Sequence, residues 1–591
     1  MALTKAKTRM IDLGEVNVKD FGADPTGVSD SAAAIQAAVN ASNRVYIPTG
    51  TYLITESIIL NSNTHIYGDG IEASIIKEGG NSDDFTVSLF INTNWNSSTG
   101  NENINIHDLS FHGKNSTPIA DGSVASNNKG IGGVYLGYCV YSSIRDCYFK
   151  DGWTGFNIFG EKSGFSDTIR NRVENCVAFN AASWSENGNA GAPRGFLSST
   201  QGTQLVGCIA KSCATGFYIA AFDGLVTDCS AFDWTYDNGY YIVGDYHKFS
   251  NCLADGNSFG NGFAIAYNNN SEYSNCIAKS CANQGFRIHA PQSATKFTNI
   301  SAYDCGYGMR FENNITFTPS AVTSSAGVVT VDMGSDIATN FLFRVGDGVH
   351  ISGVNESYYN GVWQIESISG NTLTFKSPNV SVSPATGTIV VRYANTDISV
   401  TNALLQNNAN DAIEMTKGIN VNLTNITVKE AAGLGLELEE VKNVAVTNST
   451  FNDTVEKAVY VSQSENVTID GISVFNCKTS ADTLTNRGVV SFFEVQGISV
   501  TNVKGTSGSA WFIAQLSTET TPSVGYVKNN TRIDADNVDQ TFVGVHYEHA
   551  ESGAPSITAG VGAIYYRTDG GAGTTLYIKE SGTGTTGWVA K

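Results

Sequence analysis

Between Gly216 and Gly308 a glycine followed by a large apolar residue returns every 23 residues, as Gly216-Phe217, Gly239-Tyr240, Gly262-Phe263, Gly285-Phe286 and Gly308-Met309. Gly155-Phe156 and Gly195-Phe196 precede them at wider steps. Cysteines run alongside: Cys147, Cys176, Cys208, Cys229, Cys252 and Cys276 share one position, with final steps of 21, 23 and 24 residues. Downstream, Asn402, Asn425 and Asn448 are again 23 apart, and Gly471 takes the next place. A fixed period in the twenties is the mark of a solenoid, in which each unit buries its apolar face only against its neighbours. The units hold short alternating stretches, such as FSNCLA and GFAIAY, broken by Asn, Asp and Gly. Alternation with period two makes strands. The L-x-x-L-x-L pattern of a leucine-rich repeat is absent. The expected fold is all-β, a parallel β-helix with one repeat per coil.

Coils of such a helix stack about 4.8 Å apart, so equivalent residues form ladders. Cysteine then fills a small inward slot. The Asn before it tolerates a left-handed turn and can bond a neighbour's backbone. Glycine permits the turn that admits the next aromatic core residue. Parallel stacked thiols lack the dihedral that a disulfide needs, so the cysteines are expected reduced and structural. No CxxC pair occurs among the eleven, and neither a metal nor a cofactor is expected. The net charge of -20 argues against a nucleic-acid partner and against docking on an anionic membrane. No run of about 18 apolar residues exists, so no membrane insertion is expected. The opening MALTKAKTRMIDLGEV lacks the apolar core of a secretory signal.

The first coils read differently. SAAAIQAAVNA (residues 31–41) is expected to be a helix capped by Ser29 or Asp30, covering the open end of the solenoid. VYIPTGTYLI and IYGDG follow it. Together with DFGADPTGVSDSAAAIQAA, these motifs resemble the entrance of the pectate-lyase-like superfamily, most closely the version found in bacteriophage tailspikes. The resemblance is specific over residues 18–77; to about residue 517 it is one of architecture. The closing GAIYYRTDGGAGTTLYIKESGTGTTGWVAK resembles a terminal segment of phage tail proteins. The resemblance implies a right-handed β-helix and a homotrimer. It also implies attachment to the phage tail or baseplate through the N-terminus, and depolymerisation of a bacterial capsular or O-antigen polysaccharide. The implied location is the virion tail, after synthesis in the host cytoplasm.

On this reading residues 1–17 are an attachment peptide, 18–315 and 393–530 two parts of the β-helix, and 531–591 a C-terminal β segment for trimerisation. The repeat stops near Ile315 and resumes near Asp397. Between them, residues 316–392 carry strand-like stretches and a Gly370-Asn371 hairpin turn. They are expected to form a small inserted β-barrel, a spacer or a carbohydrate module with Tyr358, Tyr359 and Trp363 as platforms.

Loops rising from the coils make groove walls. The coil from Cys176 to Cys208 is the longest, at 32 residues, and carries Trp184 and Glu186; the coil from Cys229 carries Asp233, Trp234, Tyr236 and Asp237. Glycoside hydrolysis needs a carboxylic acid and a carboxylate. Glu186, Asp233 and Asp237 are the catalytic candidates, with Trp184, Trp234 and Tyr236 as sugar platforms. A second constellation follows from the Gly-aromatic strand. If the ring points in, the next residue points out, giving the row Tyr218, Tyr241, Ala264, Arg287, Arg310, and two places on Ala220, Val243, Ala266, His289, Glu312. Arg287, His289, Arg310 and Glu312 would grip an anionic sugar, or form a salt-bridge patch. In a lyase, His289 would be the base. Hydrolysis leads; a polysaccharide lyase and a non-catalytic receptor-binding fibre are the alternatives.

Overall fold

The computed structural model describes residues 14–591 apart from 81–84, 86, 115–130, 164–170, 182–192, 257–259, 314, 338–340, 342, 378–382, 479–487, 508–511, 516–523, 529, 533–545, 557–560 and 583–584. The chain divides into two compact units, residues 1–264 with 276–282, and residues 265–275 with 283–591. Each is built of short parallel strands.

The first unit opens with the helix Ala32–Ala41, whose Ala32, Ile35, Ala38 and Val39 are buried. Ser31 is its N-cap residue, without a side-chain cap bond, while Asp30 Oδ1 accepts the Ala32 N–H at 3.0 Å. The coils then run as three rows of parallel strands. Arg172–Glu174, Gln204–Val206, Leu225–Thr227 and Lys248–Ser250 pair in one row. Val177–Ala181, Ile209–Lys211, Ser230–Phe232 and Leu253–Asp255 form the second. Thr154–Phe159, Arg194–Ser198, Thr215–Ala220 and Asn238–Val243 form the third.

The repeat's side chains explain the register. Phe156, Phe196, Phe217, Tyr240 and Phe263 stack in turn, with centroids 5.4, 4.8, 4.7 and 4.6 Å apart. A Cβ on Gly155, Gly195, Gly216 or Gly239 would meet the carbonyl of the next coil at 2.6, 2.8, 2.5 and 2.9 Å. These glycines therefore provide room for close stacking, and not the turn geometry expected from the sequence. Left-handed geometry falls instead on the residue before each cysteine, as at Asn175, Asp228, Asn251 and Asn275. Its amide bonds a neighbouring side chain where the backbone was expected: Asn251 Nδ2 donates to Asp228 Oδ1 at 3.0 Å.

All eleven cysteines are buried and free. Burial pushes the thiols of Cys139 and Cys213 up to about 12. Because the thiolate is the reacting species, the folded protein is expected to take up no iodoacetamide at pH 8. Eleven labels should appear by intact mass after denaturation without reductant; fewer would reveal disulfides.

The second unit continues the pattern with one interruption. Gln284–Ser293 pairs with Tyr307–Glu312, and Met309 then pairs with Ile413 of the strand Ile413–Thr416. Leu436–Glu439 and Val459–Ser462 extend the row. The intervening residues form antiparallel sheets. One holds Ala321–Ser325, Val328–Asp332, Thr372–Lys376 and Ser367–Ser369. In the other, Gly348–Val354 lies between Gly361–Gln364 and Gly387–Thr396. They share a core that includes Val331, Ile351, Tyr359, Phe375 and Val391. Near the C-terminus, Ile564–Arg567 and Leu576–Lys579 form an antiparallel hairpin.

Candidate functional site

The outward row of the second unit crosses the interruption. Arg287 pairs with Arg310, Arg310 with Glu414, Glu414 with Glu437, and Glu437 with Tyr460. Their neighbours Phe286, Met309, Ile413, Leu436 and Val459 are buried, so strand alternation holds this row outside the core. The row begins with two cations and continues with two acids.

The arginines are committed. Arg287 Nε and Nη2 both donate to Glu312 Oε2, at 3.1 and 2.9 Å. Arg310 Nη1 lies 3.2 Å from Glu312 Oε1, and its Nη2 donates to Glu414 Oε1 at 3.0 Å. Its guanidinium also lies over the Tyr307 ring, 4.6 Å from the centroid. His289 is half-buried, and burial and the nearby Arg287 hold it below the usual histidine range. Arg287, Arg310 and Glu312 thus meet in an ion-pair network, the salt-bridge patch that was one of the two expectations, with His289 paired opposite Glu312 on the neighbouring strand.

Beyond that network the row is acidic. Asp411, Glu414 and Glu437 bring one carboxylate oxygen each to within 4.8 Å of one another. Burial, with Asp411 and Glu414 beside it, pushes Glu437 up to about 7. Burial also raises Glu414 and Asp411, against the pull of Arg310 on the first and of the Leu434 N–H on the second. Lys457 is 4% exposed, and burial brings it down to about 8; its Nζ lies 4.2 Å from the Tyr460 ring centroid. The cluster therefore sets an acid that titrates near neutral pH beside two further carboxyl groups, an arrangement suited to proton transfer. The same three oxygens could also surround a hard cation such as Ca²⁺.

The expected catalytic cluster in the first unit looks different. Glu186 and Trp184 lie outside the described residues. Trp234 is 1% exposed, a core residue and not a platform at the rim. Asp233 is a turn residue with φ 50, and its N–H donates to Asp255 O at 3.1 Å. Tyr236 is 58% exposed, and Asp237 beside it is half-buried. Tyr218 and Tyr241 do stack along the outer face, 5.2 Å apart, under Arg194, whose guanidinium lies 3.8 Å from the Tyr218 centroid. Arg194 carries no repeat signal and was not singled out from the sequence.

Within the second unit, a groove of about 800 Å³ has Tyr358 and Trp363 on one side and Lys442, Gln463, Glu465 and Asn466 on the other. Trp363 is not an open platform there. Phe375 stacks on it at 5.1 Å, and Lys442 Nζ stands 4.7 Å from its centroid. Tyr359 is fully buried.

A family model described as "Rhamnogalacturonase A/epimerase, pectate lyase-like" matches residues 15–149. One described as "Right handed beta helix region" matches residues 194–343 and 345–504, more than half of the chain. The chain belongs to the right-handed β-helix family. Among curated proteins, this β-helix chain is 30% identical over 136 residues to the pre-neck appendage protein of Bacillus phage phi29, covering 23% of the chain and 15% of that protein. It is 41% identical over 75 residues to mannuronan C5-epimerase AlgE1 of Azotobacter vinelandii, covering 11% of the chain and 5% of the epimerase. The chain thus spans a minor part of the length of these relatives. Among solved structures, the pre-mature bacteriophage phi29 gene product 12 aligns with a TM-score of 0.44 at 15% identity, over 93% of this chain and 60% of that one.

Proposed function

We propose that this β-helix is a phage tailspike-type appendage that binds and hydrolyses a bacterial capsular or O-antigen polysaccharide. On this proposal it works as a homotrimer joined to the virion through residues 1–17. The observation that carries the reading is the acid trio Asp411, Glu414 and Glu437 on the outer row, with one member held near pKa 7. The partial similarity to a phage appendage protein and to a polysaccharide epimerase supports it.

Glu437 is the general acid. Near neutral pH it retains a proton to give to the leaving glycosidic oxygen. Glu414 or Asp411 is the second carboxylate. Inverting enzymes hold their carboxyls about 6.5–9.5 Å apart to admit water, and retaining enzymes about 5–5.5 Å. Oxygens within 4.8 Å leave little room for water, so direct attack by the second carboxylate fits better. Tyr460 and Tyr307 border the acids, and their ring faces suit the apolar side of a sugar. The committed arginines weaken the lyase alternative, which needs a free cation beside a uronate.

Mass spectrometry of products from purified capsule or O-antigen tests the reading. Fragments carrying added water are expected, with retained anomeric configuration in early proton NMR spectra. Unsaturated ends would replace hydrolysis with β-elimination, and intact polymer would leave a binding protein.

A further inference from the structure

We propose that His65 and His107 form a site for a borderline divalent transition ion, Zn²⁺, Ni²⁺ or Cu²⁺, that clips two neighbouring coils of the first unit together. The two histidines lie on parallel strands, His65–Gly68 and Asn105–His107, with Tyr67 opposite His107 and Asn105 opposite His65. They share one face, offset diagonally by two residues. Their Nε2 atoms approach to 2.6 Å. Two imidazoles therefore aim their outer nitrogens at one point.

The far side of His107 is built as a metal ligand's would be. Its Nδ1 lies 2.6 Å from Asp108 Oδ2. An Nδ1–H donated to a carboxylate fixes the tautomer, leaves the Nε2 lone pair outward and raises its basicity, as in carboxylate–histidine–metal triads. Tyr67 stacks on the His107 ring at 5.2 Å and 8°, and Tyr46 backs Tyr67 at 5.5 Å. His107 is 8% exposed, so its ring is held by packing. His65 is the more accessible partner, the one free to adjust.

The adjustment needed is small. With Zn–N bonds of about 2.0–2.1 Å at a tetrahedral angle, ligand nitrogens stand about 3.3 Å apart. Opening the pair by about 0.7 Å admits the ion, and water can fill the remaining positions. The ion takes the place of the proton that His65 Nε2 otherwise donates to His107 Nε2, and that proton moves to His65 Nδ1, so both ligands stay neutral imidazoles. Charges around the pair balance: Glu15 and Asp108 are acidic, Arg44 and Arg145 basic. Imidazole suits Zn²⁺, Ni²⁺ and Cu²⁺, whereas the all-oxygen trio Asp411, Glu414 and Glu437 suits hard cations. The cysteines, all buried, do not compete in the folded chain.

The test is calorimetric titration of the folded full chain with ZnCl₂, NiCl₂ or CuCl₂ at pH 7.5, with Cu²⁺ paramagnetic resonance as a second readout. One ion per chain is expected, with nitrogen couplings from two imidazoles, a rise in thermal midpoint, and no displacement by Ca²⁺. His65→Gln and His107→Gln should each lower affinity at least about tenfold, and Asp108→Asn, which keeps both ligands, by about 10–100-fold. Circular dichroism of the ion-free variants checks that each is folded. Absence of binding by the unaltered chain would reduce the pair to a hydrogen bond between neutral imidazoles. Undiminished binding in a folded His65→Gln, His107→Gln double variant would place the ion elsewhere. Either result overturns the proposal.

Discussion

Glu437→Gln is expected to lower turnover on the polysaccharide by about 10²–10⁴ and to raise stability above pH 7. The first effect follows from removing the proton donor while keeping its size. The second follows from linkage. The Glu437 carboxyl stands at about 7 in the folded chain against 4.5 for the free group. Between those values the folded state keeps a proton that the unfolded state has released. Stability therefore falls as pH rises from about 4.5 through 7, and the loss is complete above the folded value. Glutamine has no such proton to lose. The difference in thermal midpoint between variant and parent should be near zero at pH 4, grow through neutrality and level off above pH 8. Asp411 and Glu414 are raised in the same sense, so the parent's decline should exceed what Glu437 alone produces. A variant less stable than the parent at pH 8, or one with unchanged turnover, would remove Glu437 from the role of buried acid. Such a pairing of lost activity with gained stability is the trade expected where function requires charges crowded out of water.

The coil was legible because its signals are periodic. Glycine-aromatic and Asn-Cys pairs recur wherever a stacked coil needs room and a left-handed corner, so the register of Phe156, Phe196, Phe217 and Tyr240 could be counted directly. The outward row at Arg287, Arg310, His289 and Glu312 followed from the same count and pairs as counted. The acids beyond it were missed for two reasons. The insert sets Glu414 104 positions beyond its partner Arg310, so a 23-residue step lands in the wrong element. After the insert the glycine-aromatic signal also fades. The equivalent pairs are Ala412-Ile413, Gly435-Leu436 and Ala458-Val459, aliphatic where the first unit has rings. The asparagine ladder carried the missing register. Twelve residues past Asn402, Asn425 and Asn448 stand Glu414, Glu437 and Tyr460. Protonation could not be read at all, because Glu437 owes its shift to burial and to two acids from a neighbouring coil.

Trp234 shows the opposite error, and Trp234→Ala is expected to destabilise the first unit by about 3–5 kcal/mol. Beside Asp233 and Tyr236, in a segment rich in polar turn residues, the indole reads as a sugar platform. A turn residue, however, can point either way. The structure decides by space: Gly239 and Gly256 both lack the Cβ that would meet the indole, at 3.0 Å from Cζ3 and 2.6 Å from Cη2. Two glycines on neighbouring coils thus open a slot, and the largest side chain fills it. Emptying that slot removes an aromatic ring from a close-packed interior that cannot collapse around the gap, because stacked coils hold their spacing through paired strands. Gly256→Ala should destabilise in the same direction by overpacking, about 1–3 kcal/mol. Tyr236→Ala, at an exposed position two residues on, should leave the denaturation midpoint nearly unchanged. Urea denaturation of the three variants separates the readings. A Trp234→Ala protein as stable as its parent, but impaired in polysaccharide binding, would return the indole to the surface.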